Sequence, residues 1–254
     1  MIVFPHAKIN LGLNILKKRP DGFHDLETCF YPVKSLCDAL EVIPAKNGSS
    51  DLLLYNSDWN GPKEQNLVWK AYTMFLEHEP NLEPLEWILF KKIPSGGGLG
   101  GGSSDAVFAL RLLAQKSGWS KTDPRLFQMA ARLGSDCAFF LHDSPMLGFG
   151  RGEVLEPISL SSENFRIEFV FPGIQISTAD AFANIKPALP AKPVSEIIKQ
   201  PIETWKEELI NDFEVSVFPQ HPSLPKIKAE FYEKGAIYAS MSGSGSTMFG
   251  LFQM

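Results

Sequence analysis

Pro94-Ser95-Gly96-Gly97-Gly98-Leu99-Gly100-Gly101-Gly102-Ser103-Ser104-Asp105 holds six of the chain's 20 glycines, between a strand-like and a helix-like segment. Glycine loses more conformational freedom on folding than any other residue, so such a run persists only where positive φ angles or close backbone approach are needed. Ser103, Ser104 and Asp105 are helix N-cap types, and Ala106, Val107, Phe108, Ala109, Leu110, Leu112, Leu113 and Ala114 after them predict an apolar helix ending near Gly118. The glycines therefore deliver the chain to a helix N-terminus. Unpaired N–H groups and about half a positive elementary charge gather there, which suits phosphate. A flexible linker is the plain alternative, but linkers lack a strand of the Leu85 to Ile93 type before them and a capped helix after them.

Two general motifs fail on this stretch. Gly96, Gly98 and Gly101 fit a dinucleotide fingerprint, yet the acidic residue expected about twenty positions later falls at Asp123, in the turn Ser120-Lys121-Thr122-Asp123-Pro124. Gly97, Gly102, Ser103 and Ser104 resemble a Walker loop with Ser103 in place of its lysine. A polyphosphate here would need its cation from elsewhere in the chain.

One candidate lies upstream. From Ala7 to Ile15 the residues alternate, with Ile9, Leu11, Leu13 and Ile15 on one face and Lys8, Asn10, Gly12 and Asn14 on the other. A solvated outer face explains the lysine, although asparagine is depleted in strands. A second candidate lies downstream, where Asp136 in Gly134-Ser135-Asp136-Cys137-Ala138-Phe139-Phe140-Leu141 opens a strongly apolar segment. Its carboxylate is read either as a helix cap or as a placed, partly buried charge.

The remaining pattern is α+β. Strands are expected at Leu26 to Val33, Ala39 to Ile43, Asp51 to Tyr55 and Leu85 to Ile93, and Arg19-Pro20-Asp21-Gly22-Phe23-His24-Asp25 is a turn-rich connection. Asn66 opens a helix with one apolar stripe, and Asp123-Pro124 opens another that ends at Gly134 by the usual glycine signal. The polar stretch 159–164 reads as a domain boundary, dividing the chain into 1–158 and 159–254. Beyond it come a strand from Arg166 to Phe171, a helix capped by Ser177-Thr178, helices centred on Ile197, Leu209 and Phe231, and strands at Ala236 to Ser240 and Met248 to Phe252. Between those last strands lies a second small-residue loop, Met241-Ser242-Gly243-Ser244-Gly245-Ser246-Thr247.

The chain has 254 residues, 44% hydrophobic and 21% charged, a composition of globular proteins rather than disordered ones. A net charge of -5 gives no basic excess, so neither nucleic acid nor an anionic membrane is an expected partner. No apolar run is long enough to span a bilayer. Three cysteines without metal-ligand spacing suit buried thiols in a reducing compartment, and Met1-Ile2-Val3-Phe4-Pro5 shows no basic leader, so a cytoplasmic location is expected.

A phosphate loop without its lysine, a lysine on a strand and an aspartate after a glycine suit phosphoryl transfer, which needs positioning and charge stabilisation more than covalent help. Taken in order, Ala7-Lys8-Ile9-Asn10-Leu11, Arg19-Pro20-Asp21-Gly22-Phe23-His24, Ile93-Pro94 with the glycine run, Gly134-Ser135-Asp136 and Ser240-Met241-Ser242-Gly243-Ser244-Gly245 resemble the GHMP kinases. The resemblance implies the two-domain GHMP kinase fold, with an N-terminal ribosomal-protein-like α/β domain, a C-terminal ferredoxin-like α+β domain and a cleft for both substrates. It also implies ATP as phosphate donor, accompanied by Mg2+, and a small-molecule acceptor. By matching position, Pro94, Ser95, Gly96, Gly97, Gly98, Leu99, Gly100, Gly101, Gly102, Ser103 and Ser104 would wrap the ATP phosphates, with Asn66 near the adenine. Asp136 would be the base or orienting group for the acceptor hydroxyl. Lys8 would sit between Asp136 and the transferred phosphate, with Asn10 on its face.

The element Asp21-Gly22-Phe23-His24 narrows the resemblance within the superfamily, and that narrower resemblance implies a small-molecule acceptor with a cytidine diphosphate group. Phe23, His24 and Phe182 would clasp the cytosine, with Thr178 nearby. Relatives commonly carry tyrosine at the position of Phe23, so only ring contact carries over there. Other GHMP kinases, acting on homoserine, mevalonate or a sugar, and a non-catalytic nucleotide-binding protein remain the alternatives.

Overall fold

In the computed structural model, which describes residues 1–160 and 165–254, the chain folds as two compact units. The first comprises Met1–Ala7, Pro32–Ser95 and Gly100–Asp143, and the second Lys8–Tyr31, Gly96–Leu99 and Ser144–Met254. Of the stretch expected as a domain boundary, residues 161–164 lie outside the described residues.

The strands begin with β1 (Ile2–Val3), β2 (His6–Lys18), β3 (His24–Cys37), β4 (Ala39–Pro44) and β5 (Asp51–Tyr55), followed by helix α1 (Leu67–Leu76) and β6 (Leu85–Phe90). Helices α2 (Gly101–Lys116) and α3 (Pro124–Leu133) come next, then β7 (Met146–Phe149), β8 (Val154–Pro157) and β9 (Phe165–Val170). Short helices α4 (Thr178–Ala183), α5 (Val194–Ile197), α6 (Trp205–Glu208) and α7 (Phe213–Val217) precede α8 (Ser223–Glu233), β10 (Tyr238–Met241) and β11 (Met248–Gln253).

In the first unit the sheet order is β1-β4-β6-β5, with β4 antiparallel and β5 parallel to β6. The alternation of β6 sends Leu85, Trp87 and Leu89 inward, where they meet Val68, Ala71, Tyr72 and Phe75 of α1 and the apolar run of α2. Each such large side chain contributes about 1.5–3 kcal/mol on leaving water. The start of α1 is fixed by Asn66, whose Oδ1 accepts from Val68 N at 2.9 Å, and that of α3 by Asp123 in the same way, with Pro124 in the first turn. Both caps match the sequence reading.

The second unit holds two sheets, β2-β3-β7-β8 and the antiparallel β10-β11-β9. Its core gathers Leu13 and Ile15 of β2 with Phe213, Leu224, Phe231, Met241 and Met248. Among the described residues no helix is long and apolar enough to cross a membrane.

Four local expectations change. Helix α2 starts at Gly101, with left-handed Gly100 before it and no side-chain cap, so Ser103, Ser104 and Asp105 lie inside the helix rather than at its cap. Positive φ at Gly96, Gly98 and Gly100 turns the chain earlier than the serines would. Gly134 follows α3 as expected but has an extended φ of 174°. A Cβ there would make a tight approach of 3.2 Å to Cys137 Sγ. The helix expected around Leu209 stops at Glu208, and α7 has no counterpart in the sequence reading. Finally, Cys29 and Cys137 are buried free thiols, whereas Cys37 is half-buried.

Candidate active site

The polar face of β2 is buried, not solvated: Lys8 is 5% exposed, Asn10 1% and Asn14 3%. A buried ammonium needs partners, and the Lys8 Nζ donates to Asn10 Oδ1 at 2.7 Å and to the Gly98 carbonyl at 2.8 Å. Its backbone N–H donates to the Leu99 carbonyl at 2.9 Å. An ammonium from β2, some ninety residues earlier in the chain, is thus held against the glycine run by side chain and main chain together. Asn10 is oriented in turn, its Nδ2 donating to Thr28 Oγ1 at 3.0 Å, and Thr28 donates to the Gly12 carbonyl at 2.5 Å.

The second small-residue loop closes on the same point. Ser242 Oγ donates to the Gly98 carbonyl at 2.9 Å and Thr247 N to the Gly97 carbonyl at 3.2 Å. A Cβ on Gly98, whose φ is 74°, would lie 2.0 Å from the Ser242 carbonyl oxygen, so both conformation and space demand glycine there. Asn211 holds the second loop, its Nδ2 donating to the carbonyls of Met241 and Gly243 at 2.8 Å each. Sequence reading found the loop but missed Thr28 and Asn211, since each acts through a partner distant in the chain.

In the first unit, α2 presents its opening turn, the anion-favouring end of a sixteen-residue helix. Ser103 Oγ there donates to Asp136 Oδ1 at 2.8 Å. Asp136 precedes the 3-10 turn Cys137–Leu141 but makes no capping bond, so the cap reading does not hold. The carboxylate is half-buried, and among the described residues its other oxygen accepts no protein hydrogen bond. Asn66 stands at the start of α1, near enough to α2 that a Cβ on Gly102 would meet Leu67 Cδ1 at 3.6 Å. Pro94 and Ser95 lead into the loop, and Ser104 is fully buried with its Oγ unpartnered among the described residues.

The aromatic residues of the second unit also meet. The His24 and Phe182 rings stack with centroids 4.6 Å apart and 13° between planes, and Phe213 meets Phe182 edge-on at 4.8 Å. Burial, with the Lys18 charge adding to it, pushes the His24 pKa below its ordinary value, leaving a neutral ring with one donor and one acceptor nitrogen at neutral pH. Phe23 is 50% exposed, and the Arg151 guanidinium lies 4.6 Å from its ring centroid. Thr178 is exposed at the first turn of α4.

A glycine loop holding a lysine from β2, and a carboxylate held by a helix hydroxyl, are the equipment of a small-molecule kinase. Residues 66–144 match the GHMP kinases N terminal domain and residues 194–253 the GHMP kinases C terminal domain. The chain is 52% identical to the 4-diphosphocytidyl-2-C-methyl-D-erythritol kinase of Bacteroides thetaiotaomicron, covering 100% of this chain and 92% of that one. It is 50% identical to the kinase of the same name from Bacteroides fragilis, covering 99% and 92%. A crystal structure of 4-(cytidine 5'-diphospho)-2C-methyl-D-erythritol kinase superposes with a TM-score of 0.84 at 33% identity, over 99% of this chain and 90% of that one. The chain belongs to the GHMP kinases, in the family of the 4-diphosphocytidyl-2-C-methyl-D-erythritol kinases. It has the two-domain α+β fold of that superfamily and is an ATP-dependent small-molecule kinase.

Proposed function

We propose that the chain transfers the γ-phosphoryl group of ATP to the 2-hydroxyl of 4-diphosphocytidyl-2-C-methyl-D-erythritol, a step of the methylerythritol phosphate route to isoprenoid precursors. The names of the near full-length relatives support the acceptor. The observation that carries the chemistry is the hydrogen bond from Ser103 to Asp136, which holds a carboxylate beside the opening turn of a phosphate-type helix. In this reading Asp136 accepts the proton of the acceptor hydroxyl as its oxygen attacks the γ-phosphorus. The bond from that phosphorus to the bridging oxygen breaks and ADP leaves. Residues 94–104 receive the phosphates, and the Lys8 ammonium and the α2 N-terminus offset their charge. Asn66 lies toward the adenine.

The cytosine is assigned to Phe23, His24, Phe182 and Thr178, with Asn10 beside Lys8. A ring inserted between two others needs them roughly 7 Å apart, twice the van der Waals separation. His24 and Phe182 are closer than that, so the base takes the place of His24 on Phe182 and the freed imidazole reads its edge.

Among the described residues no group of three His, Cys, Asp or Glu side chains could hold a metal ion. Ser103 and Asp136 offer hard-oxygen donors that would fit magnesium as a partner of nucleotide phosphates, whose charge it would neutralise. The domain limits 1–158 and 159–254 and a cytoplasmic location belong to the same proposal.

The test offers the purified chain ATP and Mg2+ with 4-diphosphocytidyl-2-C-methyl-D-erythritol, homoserine, mevalonate or a hexose, and follows ADP release and the phosphorylated product. Transfer to the first alone is expected. Transfer to another acceptor would replace the substrate assignment, and none to any would leave a nucleotide-binding protein.

A further inference from the structure

Outside the residues assigned above, the first unit buries an unusual cluster of charge: Asp38, Lys91 and Asp105, which are 1%, 9% and 2% exposed. They come from three separate segments. Asp38 sits between β3 and β4, Lys91 follows β6, and Asp105 lies in the second turn of α2. The Lys91 ammonium donates to Asp38 Oδ2 and, at 2.6 Å, to Asp105 Oδ2. Asp38 Oδ1 accepts the backbone N–H groups of Lys92 at 2.5 Å and Ile93 at 2.8 Å. Lys91 is fixed through its main chain as well, its N–H donating to the Tyr55 carbonyl at 2.9 Å and its carbonyl accepting from Asn56 Nδ2 at 2.6 Å.

These bonds lie where the chain enters and leaves the glycine run. The entering segment, 91–93, is held by Asp38; the leaving segment, the start of α2, is tied to it through Lys91 and Asp105. Gly101 and Ile93 touch at this neck, since a Cβ on Gly101 would lie 3.0 Å from Ile93 Cγ2 and 3.3 Å from the Lys91 ammonium. Burying one ammonium between two carboxylates is costly unless every bond is made, and a residual orphan remains in Asp105 Oδ1, which has no partner among the described residues. A phosphate loop gains from such an arrangement. Fixing both ends of a glycine run before the ligand arrives removes part of the ordering cost that binding would otherwise meet.

We propose that Asp38, Lys91 and Asp105 form a buried clasp that closes the neck of the glycine loop and so sets nucleotide affinity by fixing the loop's two ends. They are positioning residues, and the inference rests on the reading that residues 94–104 hold the ATP phosphates. Asp105→Ala opens one arm while leaving Lys91 and Asp38 as a balanced pair. The expected result is a KM for ATP raised about tenfold, comparable to losing one hydrogen bond to a charged group, with kcat and the acceptor KM within about twofold. Asp105→Asn keeps an oxygen for Lys91 and is expected to restore the ATP KM to within about twofold.

An unchanged ATP KM in folded Asp105→Ala, or a fall in kcat instead, would overturn the clasp. Should Asp105→Ala fail to fold, amide hydrogen exchange of the unaltered chain without nucleotide decides: Lys92 and Ile93 are expected to be protected to the level of α2, and exchange as fast as that of Gly96 and Gly97 would overturn the proposal. Gly98→Ala separates the two readings. If it leaves ATP binding intact the loop assignment itself fails, whereas lost binding there with an unaffected Asp105→Ala refutes the clasp alone.

Discussion

Two carboxylates attend the start of α2, and they are treated in opposite ways. Asp105 is sealed inside, bonded to the Lys91 ammonium, and burial pushes its pKa up to about 7, with Asp38 repulsion adding and Lys91 opposing. Asp136 is half-buried and held through one oxygen by the Ser103 hydroxyl, the helix residue two positions before Asp105. The first two turns of one helix thus reach outward to one acid and enclose the other. A carboxylate meant to handle a substrate proton must be oriented yet reachable, while one that ties backbone segments together is best excluded from water. On the proposed reading of Asp136, the difference separates chemistry from architecture within one element.

Gly98→Ala, in the loop that precedes the helix, is expected to have the largest effect. With positive φ and a Cβ 2.0 Å from the Ser242 carbonyl oxygen, the loop has to move, at a cost of about 3 kcal/mol or more. ATP affinity, measured by calorimetry, is expected to fall about 100-fold or beyond. Ser103→Ala removes the hydrogen bond that orients Asp136: losing one bond to a charged group lowers kcat about tenfold, and steady-state assays with both substrates saturating read it.

Asp105→Asn acts on the other carboxylate and shows itself in stability. A carboxyl whose pKa rises on folding contributes its stability at low pH and loses it as pH climbs toward the folded value, here between 3.8 and about 7. The groups facing it are Lys91 from the β6 end and Asp38 from the β3–β4 turn. Urea unfolding of the parent and Asp105→Asn at pH 5 and pH 8 is expected to show the parent's relative stability falling by roughly 1–3 kcal/mol at the higher pH.

Much of this was legible in the sequence because it rested on local patterns. The alternation of β2, the Asn66 and Asp123 caps and the apolar run of α2 each follow from side chains within a few positions of one another. The absent Walker lysine was legible too, and with it the candidacy of Lys8, which the structure places on the Gly98 carbonyl. The burial of the β2 polar face was not, since alternation reports two faces without saying what covers the second. Asp38 and Lys91 escaped because their meeting spans 53 positions and Lys91 looked like one more residue of a strand running to Ile93. Short helices such as α7 escaped for a different reason: five residues carry too little intrinsic propensity, and packing of Phe213 and Val217 into the core decides them.

The most direct measurement sets the two carboxylates side by side, comparing kcat and ATP KM for Asp136→Asn and Asp105→Asn in one phosphoryl-transfer assay. Asp136→Asn is expected to lower kcat by about 10²- to 10⁴-fold with ATP KM little changed, and Asp105→Asn to leave kcat within about twofold of the parent. Near-parental turnover in folded Asp136→Asn, or an equal loss in both variants, would contradict the division of labour between them.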